Sequence, residues 1–181
     1  LITGKSRIIG LVVSHLDNYF YPEALELLSN ALQKKGYHVL VFMASKTSGN
    51  IDDVVDEILD YQVDAIILAS IAMSSNLANR SVAAGVPVML FNRSQDDDRF
   101  STVTSDNFLG GQKVARFLIA GGHKRIGYIA GWEGASTQHD REAGFIEELK
   151  QHGSSLYARE VGNFNQDEAR QATRKMFSKK E

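Results

Sequence analysis

Asp64-Ala65-Ile66-Ile67-Leu68-Ala69 is apolar at every position after the aspartate, and it is too short for an ordinary helix. A strand that is apolar on both sides of its pleat is covered on both faces, which is how strands of a parallel sheet between helical layers read. The same kind of run recurs at Ile8 to Val13, His38 to Met43 and Pro87 to Phe91. Between the runs lie helical patterns. Residues 23–35 place Leu25, Leu28 and Leu32 on one stripe, flanked by Ala24, Leu27 and Ala31, and Gly36 ends that helix. Residues 51–61 turn Ile51, Val54, Val55, Ile58 and Leu59 inward, with Asn50 as the expected cap. A weaker helix over 75–84 stops at Gly85. Strands alternating with helices, joined by right-handed crossovers, predict a doubly wound α/β sheet.

Residues 92–99 read as an exposed turn. Adjacent carboxylates without a glycine-punctuated loop rarely converge on one cation, so Asp96-Asp97-Asp98 reads as solvated loop. Residues 101–105 are extended, and then the rhythm restarts. Helices are expected over 108–120, 139–151 and 166–177, with strands over 125–130 and 157–161. The boundary between two lobes falls near Ser105 and Asp106, giving lobes of 7–105 and 106–181. Two strands are few for a stable doubly wound sheet, so the second lobe is expected to be incomplete in this chain.

The 181 residues are 43% hydrophobic and 23% charged, the balance of a globular protein able to bury a core. A net charge of −2 argues against a surface built to hold DNA phosphates. The chain has no cysteine, and its five histidines lack metal-ligand spacing. No Gly-x-Gly-x-x-Gly, Walker-type loop or Gly-x-Ser-x-Gly elbow occurs, which leaves an enzyme on a nucleotide-binding sheet without its phosphate cradle. Neither catalytic residues nor a metal nor a cofactor is expected. No apolar run is long enough to span a bilayer. Leu1 to Lys5 shows neither a starting methionine nor the apolar core of a signal peptide, so residues 1–6 are expected to end a linker from a preceding domain.

Three stretches carry a more specific pattern. Arg7-Ile8-Ile9-Gly10-Leu11-Val12-Val13 leads to Asp17-Asn18-Tyr19-Phe20-Tyr21-Pro22. Ser105-Asp106-Asn107 with Gly110-Gly111 leads to Gly121-Gly122-His123-Lys124-Arg125-Ile126-Gly127-Tyr128-Ile129-Ala130-Gly131. Arg141-Glu142-Ala143-Gly144-Phe145 is followed by Gly162-Asn163-Phe164. In that order, and with Val63 to Leu68, they resemble the LacI/GalR family of bacterial repressors. They match its opening strand and Asn-Pro-Phe-Phe loop, its Asp-Asn helix and Gly-His-Arg-Arg-Ile strand entry, and its Arg-x-x-Gly-Phe and Gly-Asp-Phe. Tyr19 stands where the family often has proline.

The resemblance implies a two-lobed architecture of the type I periplasmic-binding-protein kind. It further implies a cytoplasmic effector-binding and dimerisation module, a homodimer, and operator DNA read by a helix-turn-helix domain outside this chain. The effector class is a sugar, a sugar acid or a purine. Ligand bridging the lobes would shift an open–closed balance and so change operator binding.

In open α/β sheets ligands gather beyond the carboxyl ends of strands. Tyr19 and Phe20 follow the first strand there and offer flat apolar faces, although Phe20 reads equally as a staple for the following helix. Ser70 and Asn92 leave later strands at the same edge, as rim contacts or as turn and cap residues. Arg141, placed by its pattern at a helix start where the dipole disfavours a cation, makes sense facing a ligand oxygen, as the family's matching arginine does. Phe164 either stacks on ligand or joins the core. Asp106 either bonds ligand or fixes the crossover between lobes. His123, between helix and strand, reads as a structural donor. Exposed apolar residues over 77–86 are the candidate dimer face. The rival reading is a periplasmic sugar-binding protein of a transport system. The Gly-His-Lys-Arg-Ile run favours the regulator, and what precedes residue 1 would separate the two.

Overall fold

Eleven of the thirteen expected segments lie within two residues of their sequence-based limits at both ends; the computed structural model describes residues 4–14, 16, 19–44, 51–69, 71, 75–95 and 99–178. The chain divides into two compact units, Leu1–Thr104 and Ser105–Glu181.

The first unit is a five-stranded parallel sheet in the order β2-β1-β3-β4-β5. Its strands are β1 (Ile8–Val13), β2 (His38–Met43), β3 (Ala65–Ala69), β4 (Val88–Phe91) and β5 (Ser101–Val103). Helices α1 (Phe20–Gln33), α2 (Ile51–Asp60) and α3 (Ser75–Ala84) connect them. The period of two along each strand sorts the core into two layers. Ile9, Leu11, Val13, Ile67 and Ala69 face Tyr21 and Leu25 of α1. Val12, Ile66, Leu68 and Leu90 face Ile58 of α2 and Ala78 of α3. Ile58, Ile66, Leu68 and Leu90 are each at most 1% exposed, and such burial stabilises by about 1.5–3 kcal/mol per side chain. The strand order reverses between β1 and β3, so the carboxyl ends of those strands flank the switch point where such sheets hold ligands.

α1 begins three residues before the expected start. Pro22 sits in its first turn, where an N–H has no intrahelical partner to lose. Its far end closes as expected, with Gly36 at φ +79° and the Tyr37 N–H donating to the Leu32 carbonyl at 3.0 Å. The Asp64 carboxylate accepts the N–H groups of Ser6 (2.9 Å) and Arg7 (3.0 Å), tying the entry of β1 to that of β3. Desolvation pushes its pKa up, but these bonds prevail and hold it below the ordinary carboxylate value.

The second unit pairs β6 (Ile126–Ala130) with β7 (Leu156–Val161) in parallel. α4 (Asn107–Ala120) and α5 (Ser136–Gln151) cover one face through Ala115, Ile126, Phe145 and Leu149. α6 (Gln166–Ser178) covers the other, with Met176 Sδ against Gly127. α4 and α5 meet backbone to backbone. A Cβ on Gly111 would lie 2.0 Å from the Arg141 carbonyl oxygen, and one on Gly144 2.0 Å from that of Phe108. Only glycine permits this approach. Beside it Glu148, 1% exposed, accepts a fork of two 2.9 Å bonds from Arg116. Those bonds outweigh burial and hold the Glu148 carboxyl below its ordinary value. The architecture is the expected α/β one, parallel strands with helices on both faces in each unit, and among the described residues no helix is long and apolar enough to cross a membrane.

Candidate functional site

Both units gather candidate residues at the carboxyl ends of their strands. In the first unit Tyr19 is the N-cap residue of α1 and is 95% exposed. Phe20 begins the helix, and its ring stacks on Phe91 of β4, with centroids 6.0 Å apart and planes within 9°. It also meets Tyr21 edge-on at 5.1 Å. These contacts fasten α1 to β4 and leave the Phe20 ring 47% exposed. Tyr21 is 6% exposed, and its hydroxyl accepts the Asn92 Nδ2 donor at 2.9 Å. Asn92 adopts φ +58°, a conformation asparagine tolerates better than most residues, and its N–H donates to the Val103 carbonyl at 2.8 Å. Arg93 is 6% exposed, so the expected exposed turn over 92–99 begins with a buried side chain. Ser70, Asn50 and Asp96 to Asp98 lie outside the described residues. Along α1 runs an open apolar groove of about 490 Å³, lined by Phe20, Ala24, Leu27, Leu28, Ala31 and Phe91 among others.

In the second unit the parallel register sets Ala130 beside Val161, so the loops after β6 and β7 emerge together. The Gly131 N–H donates to Gln138 Oε1 at 2.8 Å. After β7, Asn163 and Phe164 are both left-handed, at φ +50° and +57°. Two adjacent non-glycine residues in that region store strain that surrounding contacts must hold. Those contacts are visible. The Asn165 N–H donates to the Gly162 carbonyl at 2.8 Å, and the Asn165 side chain accepts from the N–H groups of Asp167 and Glu168, capping α6. Phe164 stays out of the core at 51% exposure. The Arg141 guanidinium carbon lies 5.6 Å from the centre of its ring. Arg141 Nε donates to the Thr137 carbonyl at 2.9 Å, and its terminal nitrogens hold no hydrogen bond to a described residue.

One expectation needs correction. α5 begins at Ser136, not near residue 139, so Arg141 lies in its second turn. The macrodipole acts within the first turn, and the argument from it lapses. The helix starts early because Ala135, Thr137 and Gln138 are buried, at 2% exposure or less. Packing nucleates the turn without a side-chain cap.

Behind Arg141 stands a network that the sequence reading missed. Gln138 Nε2 donates to Glu142 at 2.9 Å. Arg159 of β7 grips Glu142 with Nε and a terminal nitrogen, and reaches Glu133 at 2.9 Å. Arg159 lowers the Glu142 pKa, and Glu142 raises that of Arg159. Burial pushes the Tyr128 phenol up, against a hydrogen bond to Gln138. Glu142 lay in plain view inside the Arg-x-x-Gly-Phe stretch, but nothing in spacing pairs residue 142 with 159 or 131 with 138. The seating of α5 against the ends of β6 and β7 does.

Asp106 stands at the start of α4, at the boundary of the second unit. Its Oδ1 accepts the Leu109 N–H at 2.9 Å and caps α4. His123 closes the far end of that helix through its backbone N–H, 3.2 Å from the Leu118 carbonyl. Among the described residues no cluster of histidine and carboxylate side chains suits a metal ion.

The pattern of the periplasmic binding protein domain family matches residues 9–181. The chain belongs to that family. This domain is 30% identical over 156 residues to the maltose regulon regulatory protein MalI of Escherichia coli K12, a match covering 86% of this chain and 46% of that protein. It is likewise 30% identical over 146 residues to the ribose import binding protein RbsB of Bacillus subtilis 168, covering 78% and 48%. A transcriptional regulator CelR–cellobiose complex superposes with a TM-score of 0.85 at 24% identity, over 96% of this chain and 55% of that one, which speaks to the fold. The likeness to LacI-type regulators read from the sequence thus recurs among the relatives of this periplasmic binding protein domain. The chain spans about half the length of the curated relatives it matches.

Proposed function

We propose that this chain is the effector-sensing and dimerisation module of a LacI-type transcriptional regulator, and that its effector is a sugar or sugar derivative. One observation carries the reading. At the carboxyl end of β6 and β7, a guanidinium whose terminal nitrogens hold no hydrogen bond to a described residue lies over a half-exposed aromatic ring. A ring gives an apolar platform for a sugar face, and paired N–H donors suit its hydroxyl or acid oxygens. The three proteins named above are a maltose regulon regulator, a ribose import binding protein and a regulator in complex with cellobiose, which supports the same ligand class. The module binds and performs no chemistry. Operator DNA is reached through a part of the regulator outside these residues, and the protein acts in the cytoplasm as a homodimer. Binding in this reading is linked to operator affinity by a coupling of about 1–3 kcal/mol.

The test is a thermal-shift titration of the chain with D-ribose, maltose, cellobiose, galacturonate and hypoxanthine. One probe is expected to raise the melting temperature with concentration, by the equivalent of about 2.7 kcal/mol at a hundredfold excess over Kd. Arg141→Ala is expected to abolish that shift, and a shift that survives the substitution rejects the site. The likeness to RbsB favours a second reading, a binding protein for sugar import. Sedimentation separates the two, since a dimer at micromolar concentration is expected for the regulator and a monomer for the importer.

A further inference from the structure

Gly131 follows β6, buried, with its N–H held by Gln138, itself 2% exposed. A Cβ built on Gly131 would lie 2.0 Å from Cε1 and 2.1 Å from Cζ of Phe164. The ring therefore rests on the bare Cα of residue 131, at a depth no other residue there allows. From the other side the Phe164 backbone is pinned. Asn163 and Phe164 are left-handed, and a Cβ on Gly162 would meet Ala169 Cα at 2.9 Å. With the backbone set at both ends, only the side-chain torsions of Phe164 are left to give. The ring is 51% exposed, so a methyl group at 131 swings it outward without disturbing the core. Arg141, seated on that ring, moves with it.

We propose that Gly131 is a specificity-determining position of the sugar site. By carrying no side chain it sets how far Phe164, and Arg141 above it, project toward a ligand. The inference rests on the sugar-sensing reading and extends it to a residue that positions the contact groups through Phe164.

The test is a double-mutant cycle on the whole chain, with wild type, Gly131→Ala, Phe164→Ala and both together. D-ribose, maltose and cellobiose are titrated while the emission of Trp132, the chain's single tryptophan, is followed. Gly131→Ala is expected to change the dissociation constant of the binding sugar by about tenfold or more, with an unchanged melting temperature in the absence of sugar. In the Phe164→Ala background the same substitution is expected to change nothing. Equal affinities of wild type and Gly131→Ala overturn the proposal, as does a loss that persists in full without the Phe164 ring. Should none of the sugars bind wild type, the sugar reading fails by itself. Ring-labelled phenylalanine spectra then decide the positioning claim: Phe164 signals that move on Gly131→Ala uphold it, and signals that stay in place refute it.

Discussion

The two strand-end clusters are built from similar parts and put them to different use. In the first unit the aromatic and amide groups are turned on one another. Phe20 stacks on Phe91, and Asn92 bonds the Tyr21 hydroxyl, while Tyr19, at 95% exposure against 47% for Phe20, makes no such contact among the described residues. In the second unit the structural load is carried one layer back, by Gln138, Glu142 and Arg159, while Phe164 stays half-exposed and Arg141 partly exposed above it. A side chain that fastens the scaffold is less free to turn toward a ligand. The second unit frees its presenting groups by delegating the fastening to a polar network, and the first unit does not.

The largest expected effect probes how each unit tolerates a methyl group. Gly144→Ala drives one against the Phe108 carbonyl at 2.0 Å, where two helix backbones must part. It is expected to cost about 1–3 kcal/mol, read as faster hydrogen exchange in α4 and α5. Gly10→Ala meets the tip of the Ile58 side chain at 2.9 Å, which can turn, and is expected to cost roughly 1 kcal/mol or less in β1. Equal losses would break the contrast.

Next comes acid. Glu148 and Asp64 both have folded pKa values below their ordinary 4.5 and 3.8. Each therefore contributes stability that is present above its ordinary value and is lost as pH falls through the folded one. Glu148, with its bidentate arginine and buried side chain, is expected to give the steeper loss. Glu148→Gln should flatten the acid limb of denaturant midpoints measured from about pH 6 to about pH 3, and Asp64→Asn should flatten it less. The reverse order would show that the lock between α4 and α5 is not electrostatic.

The smallest effect is the sharpest test of the division of labour. Asn92→Ala and Tyr21→Phe are each expected to cost about 1 kcal/mol in chemical denaturation, and the pair together little more than either, because they share one hydrogen bond. Arg141→Lys is expected to stay within about 0.5 kcal/mol of the parent. A destabilised Arg141→Lys would place Arg141 among the fastening groups after all.

Much of this was legible beforehand for reasons local to the chain. Ile8 to Val13 and Ala65 to Ala69 read as strands because an apolar run of that length has few other uses. Gly36 and Gly85 marked helix ends because a left-handed residue favours glycine. Helix starts were less legible. Residues 20–22 and 136–138 lack a side-chain signal for a first turn, and the burial of Tyr21, Thr137 and Gln138 supplies it. The sequence named Arg141 and Phe164 separately but could not place one over the other, since their approach depends on where α5 packs and on the left-handed turn at 163–164.

The order of apolar runs and helical stripes, an intramolecular pattern of period two and 3.6, was sufficient to determine a layered parallel α/β chain with family-like motifs in sequence. Which of the polar and aromatic residues brace the scaffold and which face outward was decided only in three dimensions. Hydrophobic periodicity acts between near neighbours, whereas a hydrogen bond from Arg116 to Glu148, or from Arg159 to Glu142, exists only once distant segments have been brought side by side.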